Sequence, residues 1–168
     1  MKSLFEYVTN VTESAFDKDL IKKGLVNDHP QNFEELRDSI RKYIDIIKPR
    51  RGETVDLNWI DTSKVDNMSW LFEDKSTKRN LNYDVSEWDV SNVKYFTAMF
   101  QWCTKFDCDL SKWDVSSGTH FAGMFKHCTS FKGKGLDKWN IDPHAHTYQM
   151  FSGDKNTELP SWVDKYML

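Results

Sequence analysis

The chain has 168 residues, of which 39% are apolar and 29% are charged, and its formal net charge is −3. This length fits one domain, or a small domain with an appendage. The sequence contains no apolar stretch long enough to span a bilayer and no excess of basic residues, so neither a membrane span nor a nucleic-acid partner is expected. The first residues include Lys2 and Glu6 but no long apolar run. This pattern predicts no export signal and a cytoplasmic location, with a virion or cell surface reached by another route as the alternative.

Residues 1–52 are predicted to form a helical N-terminal cap. Asn32 is a candidate N-cap residue, and an acidic residue follows it three positions later. Shorter helices are expected near residues 4–11 and 16–23. A separate partner-binding arm is the alternative, and the basic run 48–52 is predicted to be a solvated linker. The apolar residues of the main helix, which Pro49 ends, share one face: Phe33, Leu36, Ile40, Tyr43, Ile44 and Ile47.

Residues 53–168 repeat themselves about every 26 positions. One marker is Trp-Asp-Val-Ser at 88–91 and 113–116, with variants at 60–63 and 139–142. Units of this size bury their apolar sides by stacking on one another. The fold class predicted is an α/β repeat, namely a short leucine-rich-repeat-like solenoid of about four coils, with residues 160–168 as its C-terminal cap. The second marker is an apolar pair that ends, at steps of 28, 25 and 26 residues, in Phe72, Phe100, Phe125 and Phe151.

Within each repeat, two further patterns predict local structure. Apolar residues at offsets of −4, −1, 0 and +3 from Phe100 and Phe125 predict short buried helices over 96–103 and 121–128. The polar column Asp61, Asp89, Asp114 and Asn140 is expected to bond backbone amides at the corners of the coils. Calcium binding is disfavoured, because one carboxylate per coil is too few for an ion that takes 6 to 8 oxygen ligands.

Motifs that would carry catalysis or hold a cofactor are missing from the sequence, so a non-enzymatic protein without a cofactor is expected. His120 and His146 share a repeat column with Tyr95, but a metal site there is disfavoured because the repeat places no cysteine or carboxylate beside them. Cys103 and Cys128 are expected to be inert buried thiols. Cys108 is expected to be more accessible, although no histidine is placed beside it to make it catalytic.

Several aromatic residues fall outside the core columns and predict a binding surface. Trp59 occupies a position that is charged or polar in the other repeats and is expected to face solvent, while Trp70 and Trp102 lie in columns that also hold small or polar residues. For Trp59 and Trp70, packing beneath the N-terminal cap remains the alternative. Exposed tryptophan is the side chain most enriched at interface hot spots. The predicted binding surface consists of Trp102, Tyr95, His120, His127, His146, Trp59 and Trp70.

The strings WDVSNV, MFQWCTKF and DLSKWDVS resemble the repeat of bacterial surface proteins that is grouped with BspA-like leucine-rich repeats. The resemblance covers about residues 57–162. It implies a strand-and-helix solenoid used as an interaction scaffold by proteins of bacteria and their phages, and it implies no reaction. The resulting hypothesis is a non-enzymatic module with a protein partner. A carbohydrate-binding or adhesive surface or virion module is the alternative.

Overall fold

The computed structural model describes residues 15–73, 80–153 and 160–163. Within these described residues, two α-helices come first, α1 (Ala15–Lys22) and α2 (Phe33–Ile47). Two short strands follow, β1 (Thr54–Asp56) and β2 (Asn82–Asp84), and a 3-10 helix spans Leu136–Lys138. The remaining described residues lie in turns and extended segments. The helix predicted near residues 4–11 lies outside the described residues.

Helix α2 is the predicted amphipathic helix. The Asn32 side chain accepts a hydrogen bond from the Glu35 amide at 3.0 Å, and the Glu35 carboxylate accepts one from the Asn32 side-chain amide at 3.1 Å. The first of these bonds satisfies a backbone donor that the first helical turn leaves free, and the second holds the capping side chain in place. The helix ends at Ile47, and its C-cap residue, Lys48, adopts the left-handed conformation directly before Pro49. Its buried face consists of Leu36, Ser39, Ile40, Tyr43 and Ile44.

The repeats lie side by side, parallel and in register. Strand β1 pairs in parallel with β2, and Thr54 lies opposite Asn82. A second row of parallel bridges continues across the chain with the same steps of 28, 25 and 26 residues that separate the marker phenylalanines. The alignment of repeats deduced from the sequence is therefore their alignment in space. The bridged residues are Asn67, Tyr95, His120 and His146.

Aromatic rings of successive repeats stack inside the core. The ring centroids of Phe72 and Phe100 are 5.3 Å apart, those of Phe100 and Phe125 are 5.7 Å apart, and those of Phe125 and Phe151 are 5.6 Å apart. All four side chains are buried. Each such burial stabilises the fold by about 1.5–3 kcal/mol relative to an exposed side chain. The phenylalanine column is thus a main source of the cohesion between repeats.

The prediction of short helices over 96–103 and 121–128 is wrong, because both segments are runs of tight turns. A helix would bond each amide to a carbonyl four residues earlier. Here the amides of Ala98, Phe100 and Trp102 instead donate to carbonyls of the next repeat, each at 2.9 Å. The alternate amides donate three residues back, as Met99 does to Phe96 at 3.1 Å. The helical spacing of the apolar residues therefore reflects a series of turns in which alternate amides donate to carbonyls of the next repeat.

Asp side chains tie the corners of the repeats, as predicted. Asp61, Asp89 and Asp114 each accept a hydrogen bond at 3.0 Å from the amide two residues later. Hydrogen bonds from the Ser63 backbone and hydroxyl hold the pKa of Asp61 below its usual value, because they favour the carboxylate. In the last repeat Asp142, the polar residue two positions after Asn140, accepts a hydrogen bond from the His144 amide at 2.8 Å.

Candidate binding surface

In each central repeat, a short extended segment at the surface leads into a buried phenylalanine. Successive side chains of an extended segment point to opposite sides. Phe96 and Phe121 therefore point into the core, where they stack on each other at 5.1 Å between ring centroids. Their preceding neighbours, Tyr95 and His120, point outward. The buried rings fix the positions from which the outward side chains project.

Tyr95, His120 and His146 form a ladder of rings, named here the Tyr95 ladder. The ring centroids of Tyr95 and His120 are 5.0 Å apart, and those of His120 and His146 are 4.6 Å apart. Tyr95 is 40% exposed, His120 is half-buried and His146 is exposed. Because the parallel bridges join the backbones of these residues, the spacing of the rings is set by the spacing of the repeats.

Trp102 and His127 form a second pair, named here the Trp102 stack. Their rings lie 3.9 Å apart with an interplanar angle of 27°, and Trp102 remains 37% exposed. Both residues have left-handed backbones, with φ of 67° and 63°. Gly153 holds the same position in the next repeat, and a Cβ there would lie 2.2 Å from His127 Nδ1. A glycine at 153 thus lets the backbone lie against the His127 ring.

His127 is the titratable group of the Trp102 stack. Partial burial lowers its pKa below the usual value, since desolvation disfavours the imidazolium, and the neighbouring charge of Lys126 acts in the same direction. The Lys126 ammonium itself donates to the side-chain carbonyl of Gln149 at 2.6 Å. The ring that supports Trp102 is therefore biased towards its neutral form, which stacks without placing a charge against the indole.

The structure separates Trp59 from the other predicted surface residues. Trp59 is half-buried against Tyr43 of α2, with ring centroids 5.0 Å apart. The expectation that Trp59 faces solvent is wrong, and the alternative of packing beneath the N-terminal helices holds for it. Trp70 is 55% exposed and has a left-handed backbone with φ of 58°. Trp70 therefore remains a surface residue, whereas Trp59 belongs to the contact between α2 and the first repeat.

One exposed aromatic residue, Tyr148, was not among the predicted surface residues. Tyr148 is 70% exposed, the most exposed of the large apolar and aromatic side chains in the described part of the chain. It stands where Thr97 and Ala122 stand in earlier repeats, so the repeat alignment could have identified it as an aromatic in a small or polar column.

Cys108, expected to be accessible, is buried, because its side chain turns inward between Asp84 and the Asp109 carbonyl.

Three further observations on the described residues concern clusters of metal-ligating side chains, thiol reactivity and membrane-spanning helices. Within residues 15–73, 80–153 and 160–163, no three His, Cys, Asp or Glu side chains converge as a metal site would require. Burial raises the pKa of the Cys108 thiol to about 12, which disfavours the reactive thiolate. In the same part of the chain, no helix has the length and apolar character needed to cross a bilayer.

These observations define a repeat protein with parallel, in-register units and an exposed surface of aromatic and imidazole rings. The family model described as "Mycoplasma protein of unknown function, DUF285" matches residues 46–162. This match covers more than half of the chain, which therefore belongs to that family. It also supports, in general terms, a relation to repeat-containing surface proteins. No curated protein and no solved structure matches the chain.

Proposed function

We propose that this protein is a non-enzymatic protein-binding module, built as a short leucine-rich-repeat-like solenoid of the BspA-like type. The observation that carries the proposal is the Trp102 stack, in which an exposed indole lies on His127 with ring centroids 3.9 Å apart. Both residues sit on backbones fixed by cross-repeat bonds, since the amides of Trp102 and His127 donate to Lys126 and Ser152.

A fixed aromatic side chain favours binding for a thermodynamic reason. Association costs conformational entropy, about 0.5–1.5 kcal/mol for each flexible side chain that becomes ordered. Trp102 is already held by its neighbour, and the Tyr95 ladder is held by its parallel bridges. A partner therefore meets rings that lose little freedom on contact. Tryptophan and tyrosine are also among the residues enriched at interface hot spots.

The test is affinity capture with wild-type protein and the Trp102→Gly variant, followed by a titration with the purified partner. Glycine is chosen because position 102 has φ of 67°, so the change removes the ring without imposing backbone strain. We expect the variant to lose at least tenfold in partner affinity while remaining folded. Gln149→Gly is the matched control, because Gln149 also has a positive φ of 53° but carries no ring.

A stable Trp102→Gly variant that keeps wild-type affinity would contradict the assignment of Trp102. Capture lost equally by Trp102→Gly and Gln149→Gly would point to a general change of the fold instead. Circular dichroism of each variant separates these two outcomes from a simple failure to fold.

The second candidate is a carbohydrate-binding or adhesive module, favoured by the exposure of Trp70 and Tyr148. These side chains are 55% and 70% exposed, and aromatic rings of this kind stack on sugar faces. A glycan array probed with wild type, Trp70→Gly and Tyr148→Ala distinguishes the two functions. Selective glycan binding that either variant abolishes would favour the second candidate, whereas a protein-binding module should show no sugar selectivity.

A further inference from the structure

We propose that His120 and His146 form a binding site for a divalent transition-metal ion of the zinc, nickel and copper group. The site lies on the Tyr95 ladder, and metal binding there does not require the protein-binding function proposed above. Imidazole nitrogen is a preferred ligand of these ions. Sequence reasoning disfavoured a metal in this column because no cysteine or carboxylate accompanies the histidines, but the structure adds two observations that bear on the imidazoles themselves.

The first observation is the distance between the rings. His120 and His146 face each other across a parallel bridge, and their ring centroids are 4.6 Å apart with an interplanar angle of 33°. A bound ion lies roughly 2.0–2.1 Å from each ligating nitrogen, so two nitrogens on one ion stand within about 4 Å of each other. Small side-chain rotations satisfy this requirement, since His146 is exposed and His120 is only half-buried.

The second observation concerns the Nδ1 atom of His120. The Thr119 hydroxyl lies 2.9 Å from His120 Nδ1 and 3.2 Å from the Lys94 carbonyl, which already accepts from the Thr119 and His120 amides. A hydroxyl both donates and accepts, so this one can accept from Nδ1–H in the tautomer that leaves Nε2 free for an ion. A hydrogen bond of this kind on the opposite ring nitrogen is the usual way in which proteins orient a metal-binding histidine.

His144 is close in sequence but lies outside this arrangement. It sits in a turn closed by the bond from the Ala145 amide to the Asp142 carbonyl, at 2.9 Å. Its own amide is held by the Asp142 carboxylate at 2.8 Å. His144 is also outside the row of parallel bridges. The two ladder histidines therefore supply the protein ligands, and water fills the remaining positions on the ion.

The test is a titration of the full-length protein with Ni²⁺ in a non-chelating buffer near pH 7.5, followed by calorimetry and by imidazole resonances in NMR spectra. We expect one ion per chain and selective broadening of the His120 and His146 signals. The His120→Gln and His146→Gln variants should each bind at least tenfold more weakly. In the Zn²⁺-loaded protein, ¹⁵N shifts should identify Nε2 of His120 as the ligating nitrogen, with the proton on Nδ1.

The matched control is His144→Gln, which keeps both ladder histidines and should bind as wild type does. Equal loss in His144→Gln and His146→Gln would overturn the proposal in favour of a local His-x-His pair. Binding unchanged in His120→Gln would also overturn it, leaving the ladder as ring stacking alone. Circular dichroism confirms that each exposed or half-exposed variant is folded.

Discussion

The indole N–H of Trp113 donates a hydrogen bond to the main-chain carbonyl of Val85, one repeat earlier, at 2.9 Å. The same bond recurs along the chain, so each tryptophan of this column packs on the core and also donates to a carbonyl of the preceding repeat. The side chain thereby joins two repeats by apolar and polar contacts at once. The other members are Trp88 to Leu57 at 2.8 Å, Trp139 to Leu110 at 3.1 Å and Trp162 to Leu136 at 2.9 Å.

Replacement of Trp113 by phenylalanine should destabilise the protein. The change keeps an aromatic ring in the core but removes one of two hydrogen bonds to the Val85 carbonyl, the other being donated by the Trp88 amide at 3.2 Å. The loss of such a bond costs about 0.5–1.5 kcal/mol. Urea unfolding followed by circular dichroism measures the loss. Trp70→Phe is the control, since Trp70 is largely exposed and its replacement should change stability by about 0.5 kcal/mol or less. Equal losses in the two variants would contradict a role for the indole hydrogen bond.

Replacement of Gly123 by alanine should cost about 1 kcal/mol through backbone strain alone. Gly123 has φ of 64°, and the nearest atom to an added Cβ is 3.9 Å away, so no clash contributes. Gly135→Ala should cost more, because its φ is 86° and its Cβ would lie 2.1 Å from the Ser111 amide nitrogen. Thermal unfolding of the two variants beside wild type checks this order. Reversal of the order would show that the neighbouring repeat yields to the methyl group.

Stability should depend on the protonation of His29. Its pKa is raised by a hydrogen bond to Asp28, with ring nitrogen and carboxylate oxygen 3.0 Å apart, and to a smaller extent by Asp61. A group whose pKa is higher in the folded than in the unfolded state stabilises the fold when it is protonated. The full effect is present at pH values below the unfolded-state pKa, and it is lost as the pH rises through the folded-state pKa. The Tm difference between wild type and His29→Gln should therefore shrink from about pH 6 to about pH 8.

Salt provides the control for the His29 prediction, because the pair is exposed. High ionic strength screens such charges and should reduce the difference at the lower pH. A Tm difference that grows with pH would contradict the assignment. A difference that is independent of pH would show that His29 contributes by packing and not by charge.

The three cysteines should resist thiol reagents in the folded protein. Cys103 and Cys128 are buried and donate to the carbonyls of Phe72 and Phe100 at 3.0 and 2.8 Å. Cys108 is also buried, and burial raises its pKa to about 12. A colorimetric thiol assay near pH 8 should detect no fast-reacting group in native protein and three after denaturation. Lys105→Cys, at an exposed position, should add one fast group as a positive control. Fast native labelling of Cys108 would show that its burial is transient.

Much of the candidate surface could be predicted from the repeat spacing. The steps between marker phenylalanines placed Tyr95, His120 and His146 in one column, and these residues are bridged in the structure. This inference works because stacked repeats must keep their core side chains aligned, so a shared offset along the sequence becomes a shared position in space. Trp102 and His127 were aligned in the same way, and their rings stack.

The spacing could not predict the backbone around those residues. Apolar residues at offsets of −4, −1, 0 and +3 from a marker phenylalanine suit a helical turn. The same side chains also face inward when alternate amides donate to carbonyls of the neighbouring repeat. The left-handed residues at Ala98, Gly123 and Gln149 are what make that arrangement, and only one of the three is glycine. Without the neighbouring repeat, no local signal indicates that these positions require a positive φ.

The sequence by itself determined the period, the aligned core columns, the capped helix α2 and the Asp residues at the corners, because each depends on spacing or on contacts within a few residues. Only the tertiary structure decided that Trp59 packs on Tyr43 while Trp70 stays exposed, and that Cys108 is buried. These outcomes depend on which element lies against each end of the stack and on which carbonyls lie across from each amide. Such partners are distant in sequence, and packing alone selects them.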